Sequence, residues 1–199
     1  MTLSDVTALI VTRGNIPDGI GQIFKTLEDL DEIKVWDNSK STIDFKPFGL
    51  YVAAGFAVHD LIYVQDDDVL VSNPKAIIAA WHPGRIVCNM GKDYQEQYTN
   101  KPDKLMGFGC VFEKALIRPT FERYLKYFPL DKVTLREPNR IFTALNSDKI
   151  DLVDVPITHM PYASDSDRLW KQPDHGAMRD SSYRRVEIVL SEEKLAASN

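Results

Sequence analysis

Leu61-Ile62-Tyr63-Val64-Gln65-Asp66-Asp67-Asp68-Val69-Leu70-Val71 carries a short apolar run straight into three carboxylates and out into a second apolar run. The first run is rich in β-branched and aromatic residues, so Leu61 to Gln65 reads as a buried strand that ends where the aspartates begin. Side chains alternate along an extended chain, so Asp66 and Asp68 are expected to face one side and Asp67 the other. Adjacent anions repel one another unless a cation compensates. Hard oxygen donors of this kind suit Mg²⁺ or Mn²⁺ held together with substrate phosphates. The alternative is a solvated acidic turn, the ordinary fate of a charge run.

Working outward, two earlier apolar runs end in the same manner. Val6 to Val11 runs into Thr12-Arg13-Gly14-Asn15, and Ile33 to Trp36 runs into Asp37-Asn38-Ser39. Between them Ile20, Ile23, Phe24, Leu27 and Leu30 recur at helical spacing, with Pro17 near the helix start. Tyr51 to Val58 reads as a helix close to the sheet. Asn73-Pro74 signals the start of another helix, running through Ala76 to Trp81, and Ile86 to Asn89 is a strand. Gly91 to Lys104 has no apolar period and reads as a surface excursion. Gly107-Phe108-Gly109 opens a strand at Cys110 to Phe112. Helices are expected from near Pro119, through Phe121, Tyr124, Leu125 and Phe128, and from Pro138, burying Ile141, Ala144 and Leu145. Ile150 to Ile157 reads as one strand. From Met160 the periodicity is lost, which suggests a loop across the surface and a frayed end over Glu192 to Asn199.

Strands alternating with helices predict an α/β fold with a mainly parallel central sheet covered on both faces. The 199 residues fit a single domain spanning 1–199. Ligands of such sheets bind at the carboxyl ends of the strands, where the three polar strand ends meet, so a nucleotide crevice is expected there. A composition of 44% hydrophobic and 27% charged residues excludes disordered and collagen-like classes. The net charge of -5 argues against a chain held to duplex nucleic acid by its overall charge, leaving a local basic groove open. No apolar run reaches the roughly 20 residues of a membrane span, and Asp5 interrupts any leader-like core, so a cytoplasmic location is expected. Cys88 and Cys110 have no metal or redox spacing and read as buried thiols.

The three strand ends, together with Ala80-Trp81, Gly107-Phe108-Gly109 with Phe112, and the segment from Arg136-Glu137 to Phe142, resemble the GT-A glycosyltransferases. The likeness covers most of residues 6–145 and lies nearest to the exostosin-like branch. It implies a single-domain GT-A (Rossmann-like) fold and a metal-dependent enzyme that moves a sugar from a nucleotide-diphosphate donor, usually a UDP-sugar, to an acceptor hydroxyl. The resemblance sets Thr12, Arg13 and Asp37 against the base and ribose. It sets Asp66, with Asp67, against the ribose or sugar, and makes Asp68 a ligand of Mn²⁺ or Mg²⁺. Gly107 would form the floor under the transferred sugar.

Where the family carries a Glu-Asp pair, this chain has Arg136-Glu137. Glu137 is then an acceptor-side base or contact, or else a first-turn acid favoured by the helix dipole. The branch leans toward retention. A C-terminal loop that closes over the diphosphate would make 160–190 an active-site lid, His175 a third metal ligand, Lys171 a diphosphate contact and Arg179 a catalytic contact to the same group. Two other classes stay open: a nucleotidyltransferase, whose Gly-rich loop is represented only by Gly14, and a non-catalytic sugar-nucleotide-binding module. The acceptor is read as a hydroxymethylated base in viral DNA, tracked by Lys101, Lys104, Lys132, Arg136 and Arg140, or as a glycan or lipid-linked precursor.

Overall fold

The computed structural model describes residues 3–16, 18–161 and 168–198. Its strands are β1 (Val6–Thr12), β2 (Glu32–Asp37), β3 (Leu61–Asp66), β4 (Val69–Val71), β5 (Ile86–Asn89), β6 (Cys110–Glu113), β7 (Ile150–Val153) and β8 (Ile157–His159). Six of them form one sheet in the order β2-β1-β3-β6-β5-β7, and β4 pairs with β8 in a separate ribbon. The sheet is parallel except for β6, which runs against both of its neighbours. The mainly parallel α/β expectation therefore holds.

The helices are α1 (Gly19–Thr26), α2 (Gly49–Ala54), α3 (Pro74–Ala79), α4 (Lys92–Gln97), α5 (Ile117–Leu125), α6 (Lys132–Arg136), α7 (Pro138–Leu145) and α8 (His175–Ala197). Alternation along the strands splits the core in two, as a sheet covered on both faces requires. Leu9, Ile62, Val64 and Phe112 pack with α2, α5, α7 and α8, while Ala8, Ile10, Tyr63 and Val111 pack with α1, α3 and the ribbon. The Asn73 signal is realised: its Oδ1 accepts from the Ala76 N–H at 3.2 Å, with Pro74 opening α3. Cys88 and Cys110 are free buried thiols directly opposite one another on β5 and β6.

Several expectations are corrected. Pro17 lies outside the described residues, as do 162–167 of the C-terminal segment. The excursion after β5 contains α4, a helix that buries none of its residues and so shows no apolar period. Asp131 caps the unexpected α6, accepting from the Val133 and Thr134 N–H groups at 3.1 and 3.2 Å. The strand expected over 150–157 is two. Between them the buried Asn89 accepts from Val155 N–H at 2.7 Å and donates to the Val155 and Phe108 carbonyls, turning the chain out of β7 toward the ribbon.

The largest correction is the tail, because 175–197 form α8 and not a surface loop. Its inward stripe is only Ser182, Val186 and Val189, too sparse to register as periodicity in a segment so rich in charge. Ion pairs flank that stripe: Arg185 with Asp131 at 2.7 Å and Arg123 with Glu193 at 2.6 Å. Among the described residues no helix is long and apolar enough to cross a membrane.

Adjacent residues on α8 report whether it belongs to the core. Val189 is fully buried and Ile188 is 46% exposed. Val189→Asp is expected to cost at least about 3 kcal/mol by burying an unpaired charge, whereas Ile188→Asp should stay within about 0.5 kcal/mol of the parent. Urea unfolding of both variants checks this.

Candidate active site

The register of the parallel strands sets Thr12 level with Asp37 and Val11 level with Asp66, so the loops leaving β1, β2 and β3 start from one edge. They border a cleft of about 260 Å³. The segment from Asp103 to Gly107 and the junction of α6 with α7 complete its lining.

β3 ends at Asp66 and the chain turns at Asp67 and Asp68. Strand alternation therefore stops one residue too early for the expected split, and all three aspartates border the cleft. Asp67 does not turn away. The Thr12 hydroxyl and the Arg13 N–H bind its carboxylate, while Thr12 Oγ1 accepts from the Gly14 N–H at 3.0 Å. Burial pushes the Asp67 carboxyl up to about 6. Asp66 opens onto the cleft yet is crowded by protein on its other sides, and that crowding, with Asp68 and Asp67 beside it, raises it to about 7. Asp68 is raised by burial, even though Arg168 Nη1 lies 2.8 Å from its Oδ2.

Gly107 is the floor of this cluster. Its carbonyl accepts from the Asp66 N–H at 2.9 Å, and a Cβ placed on it would fall 1.9 Å from Asp66 Oδ2. No side chain fits there.

On the β1 and β2 side, Arg13 and Lys46 both pair with Asp44 at the cleft. Asp37 is turned to its own loop, accepting from Ser39 N–H and Oγ and pairing with Lys40 at 3.0 Å, bonds that hold its carboxylate below the ordinary range. The neighbouring Asn38 lines the cleft instead. It is buried, accepts from Trp36 Nε1 and Phe45 N–H, and donates to the Lys46 carbonyl.

The far wall carries Arg136, Glu137 and Arg140. Arg140 donates from Nε to Glu137 Oε2 at 3.1 Å and pairs with Asp103, which also accepts from Tyr183 OH at 2.7 Å. Arg136 Nη1 binds Asp174 at 2.6 Å and its Nη2 reaches the Leu169 carbonyl. His175 opens α8 with Nδ1 3.6 Å from Glu137 Oε1. Among the described residues no three His, Cys, Asp or Glu side chains converge as a metal-binding group, so Asp68 and His175 are not brought together in one. Arg179 and Lys171 stay off the cleft wall, Arg179 against Asp180 and Lys171 over the ring of Trp170.

Sequence reasoning missed Asn38, Lys46, Asp103 and Trp170 as cleft residues, and Arg168 as the partner of Asp68. Asn38 had a signal, being next to the acid at a strand end. Asp103 sits in a polar stretch with none. His159, read as isolated, lies close enough for its charge to lower the Asp68 carboxyl.

No family model and no curated protein matches the chain. Solved structures do. 4-Diphosphocytidyl-2C-methyl-D-erythritol synthase from Anaerococcus prevotii superposes with a TM-score of 0.54 at 14% identity, covering 89% of this chain and 99% of that one. Glucosyl-3-phosphoglycerate synthase from Mycobacterium tuberculosis, in complex with Mn²⁺, UDP-glucose and phosphoglyceric acid, gives 0.54 at 13%, covering 93% and 79%. The chain has the fold that GT-A-like glycosyltransferases share with nucleotidyltransferases. The comparisons do not single out the exostosin-like branch.

The raised aspartates set a pH dependence. Folded Asp66 keeps a proton that the unfolded chain releases near 3.8, up to about 7, so stability falls as pH rises through that window. Metal-free protein should melt at a higher temperature at pH 5 than at pH 8, and Asp66→Asn should flatten the difference. Thermal melts across that range check it.

Proposed function

We propose that the chain is a glycosyltransferase that moves a sugar from a nucleotide-diphosphate donor to an acceptor hydroxyl. The observation that carries this reading is the turn at the end of β3, where three carboxylates border a cleft beside Gly107 that a fourth, Glu137, also lines. A nucleotidyltransferase would share the fold, but the loop after β1 offers a phosphate only Gly14 as a glycine.

The residues fit a divalent cation in part. Mutual repulsion among Asp66, Asp67 and Asp68 is the electrostatics that a cation relieves, and with no third protein ligand gathered among the described residues the donor's diphosphate oxygens would complete the shell. Asp68, with Asp66, would hold Mn²⁺ or Mg²⁺, which supplies Lewis-acid neutralisation of the leaving diphosphate. Arg168 covers Asp68 otherwise and is placed to pass to the diphosphate. Thr12, Arg13, Asn38 and Lys46 take the nucleotide end. Asp66 and Asp67 position the sugar, and Gly107 lets its ring approach the floor. Asp37 stays a loop-ordering residue. His175, Lys171 and Arg179 stand outside the wall, whereas Leu169 and Trp170 line it.

Glu137 takes the acceptor proton. A carboxylate that lines the cleft outside the aspartate turn suits a separate base and direct displacement, which inverts the anomeric carbon in place of the retention that the exostosin-like likeness implies. The acceptor is a small hydroxyl compound or glycan and not DNA, because most of the expected basic track is already engaged: Arg136 and Lys132 pair with Asp174, Arg140 with Asp103 and Glu137, Lys104 Nζ with three backbone carbonyls, and Lys101 lies over the ring of Tyr98.

A panel of nucleotide sugars with Mn²⁺, read by release of nucleoside diphosphate, tests the reading. Asp68→Ala should lower turnover at least about 100-fold with the fold intact by circular dichroism. Turnover should be flat in salt between 50 and 200 mM, roughly the range over which several phosphate contacts lose a thousandfold or more. Nucleotidyl transfer without sugar transfer would overturn the reading.

A further inference from the structure

Glu137 and His175 meet behind the acceptor wall in an arrangement that packing alone does not require. Glu137 is buried but borders the cleft, while His175 stands outside the cleft wall at the first position of α8. Arg140 fixes one carboxylate oxygen, Oε2, and is itself held by Asp103 and by Tyr183 OH at 2.6 Å, so this side of Glu137 is rigid. The other oxygen, Oε1, faces His175 Nδ1 at 3.6 Å. That nitrogen is buried without a hydrogen-bond partner. A separation of 3.6 Å is too long for an N–H···O bond, and closing it takes a shift of well under 1 Å. The guanidinium groups of Arg140, Arg136 and Arg179 act on the same imidazole and, with burial, keep it neutral against the pull of Glu137. A neutral ring can present Nδ1–H to the carboxylate without neutralising it.

We propose that His175 is the positioning residue of the acceptor base: Nδ1–H closes onto Glu137 Oε1 as the acceptor docks and aims the carboxylate at the acceptor hydroxyl. This rests on the transferase reading above and replaces metal ligation as the role of His175. In the step, the acceptor O–H bond breaks and its proton passes to a free lone pair of the Glu137 carboxylate. The acceptor oxygen bonds to the anomeric carbon. The bond from that carbon to the phosphate oxygen breaks, and its electron pair leaves with the nucleoside diphosphate. His175 neither gains nor loses a proton.

The experiment compares His175→Leu, His175→Asn and the parent. Asn carries its Nδ2–H close to the place of imidazole Nδ1, so it should restore most of a kcat that Leu lowers by up to about 100-fold. The donor KM and the Mn²⁺ activation constant should be unchanged in both. An Asn variant as slow as Leu, or an activation constant that rises in either, would overturn the assignment, the latter in favour of a metal ligand. A second readout needs no turnover: Glu137→Gln should move the ¹⁵N resonance of the His175 Nδ1 in the ligand-free protein. An unmoved resonance overturns the pairing even if the chain proves to be a glycosyltransferase. A moved resonance in a parent that turns over no nucleotide sugar sustains the pairing while the transferase reading fails.

Discussion

Three carboxylates crowded into one turn are a cost that the rest of this fold is arranged around. Each would rather be solvated, and burial raises all three above the ordinary carboxylate range. The protein meets that cost in different ways at each position. Asp67 is given the Thr12 hydroxyl and the Arg13 N–H, Asp68 is given Arg168, and Asp66 faces the open cleft with no cation against it among the described residues. On the reading proposed above, this unequal distribution leaves Asp66 free to meet an outside charge. A structural acidic turn would have spread its partners evenly or faced solvent.

The opposite wall solves the converse problem. Arg140 is shared between Asp103 and Glu137, and Arg136 is paired with Asp174, so two buried guanidiniums sit in a wall that stays close to neutral. A neutral, rigid wall facing an anionic one gives the cleft a direction. On the transferase reading, the carboxylates beside the diphosphate and the one that takes the acceptor proton then have different electrostatic surroundings and different tasks.

Much of this was legible in the chain because it rests on local chemistry. Val6 to Val11 and Leu61 to Gln65 are apolar on both faces, as only strands covered on both sides are, and Asn73-Pro74 spells its own helix start. What was not legible depends on partners distant in sequence. α4 and α8 carry too little apolar surface to show a period, and the chain breaks at Asp154-Val155-Pro156 because Asn89, far upstream, captures it. The same holds within the site. Strand alternation says nothing about where β3 stops; the strand ends at Asp66, so the expected split fails and Asp67 borders the cleft with its neighbours. Asp37 and Asn38 are adjacent polar residues, and only the capture of Asp37 by Ser39 and Lys40 decides which of them turns into the cleft.

β6 is the one strand that runs backward, and the direction has a developmental consequence for the family of sequences that could share this frame. A forward strand brings the loop that follows it to the cleft, whereas a reversed strand brings the loop that precedes it. The chain therefore leaves β5 at Asn89 and re-enters at Cys110 on the same edge, with the Asn89 N–H closing on the Gly109 carbonyl at 2.8 Å. Everything between is a closed excursion whose base is clamped and whose far end reaches the acceptor wall at Asp103. Doubling the length of such a loop adds only about 0.6 kcal/mol of closure entropy. Residues 91–102 can therefore vary in length at small cost, while Asp103, which holds Arg140, and Met106, which packs in the core, anchor the return to β6.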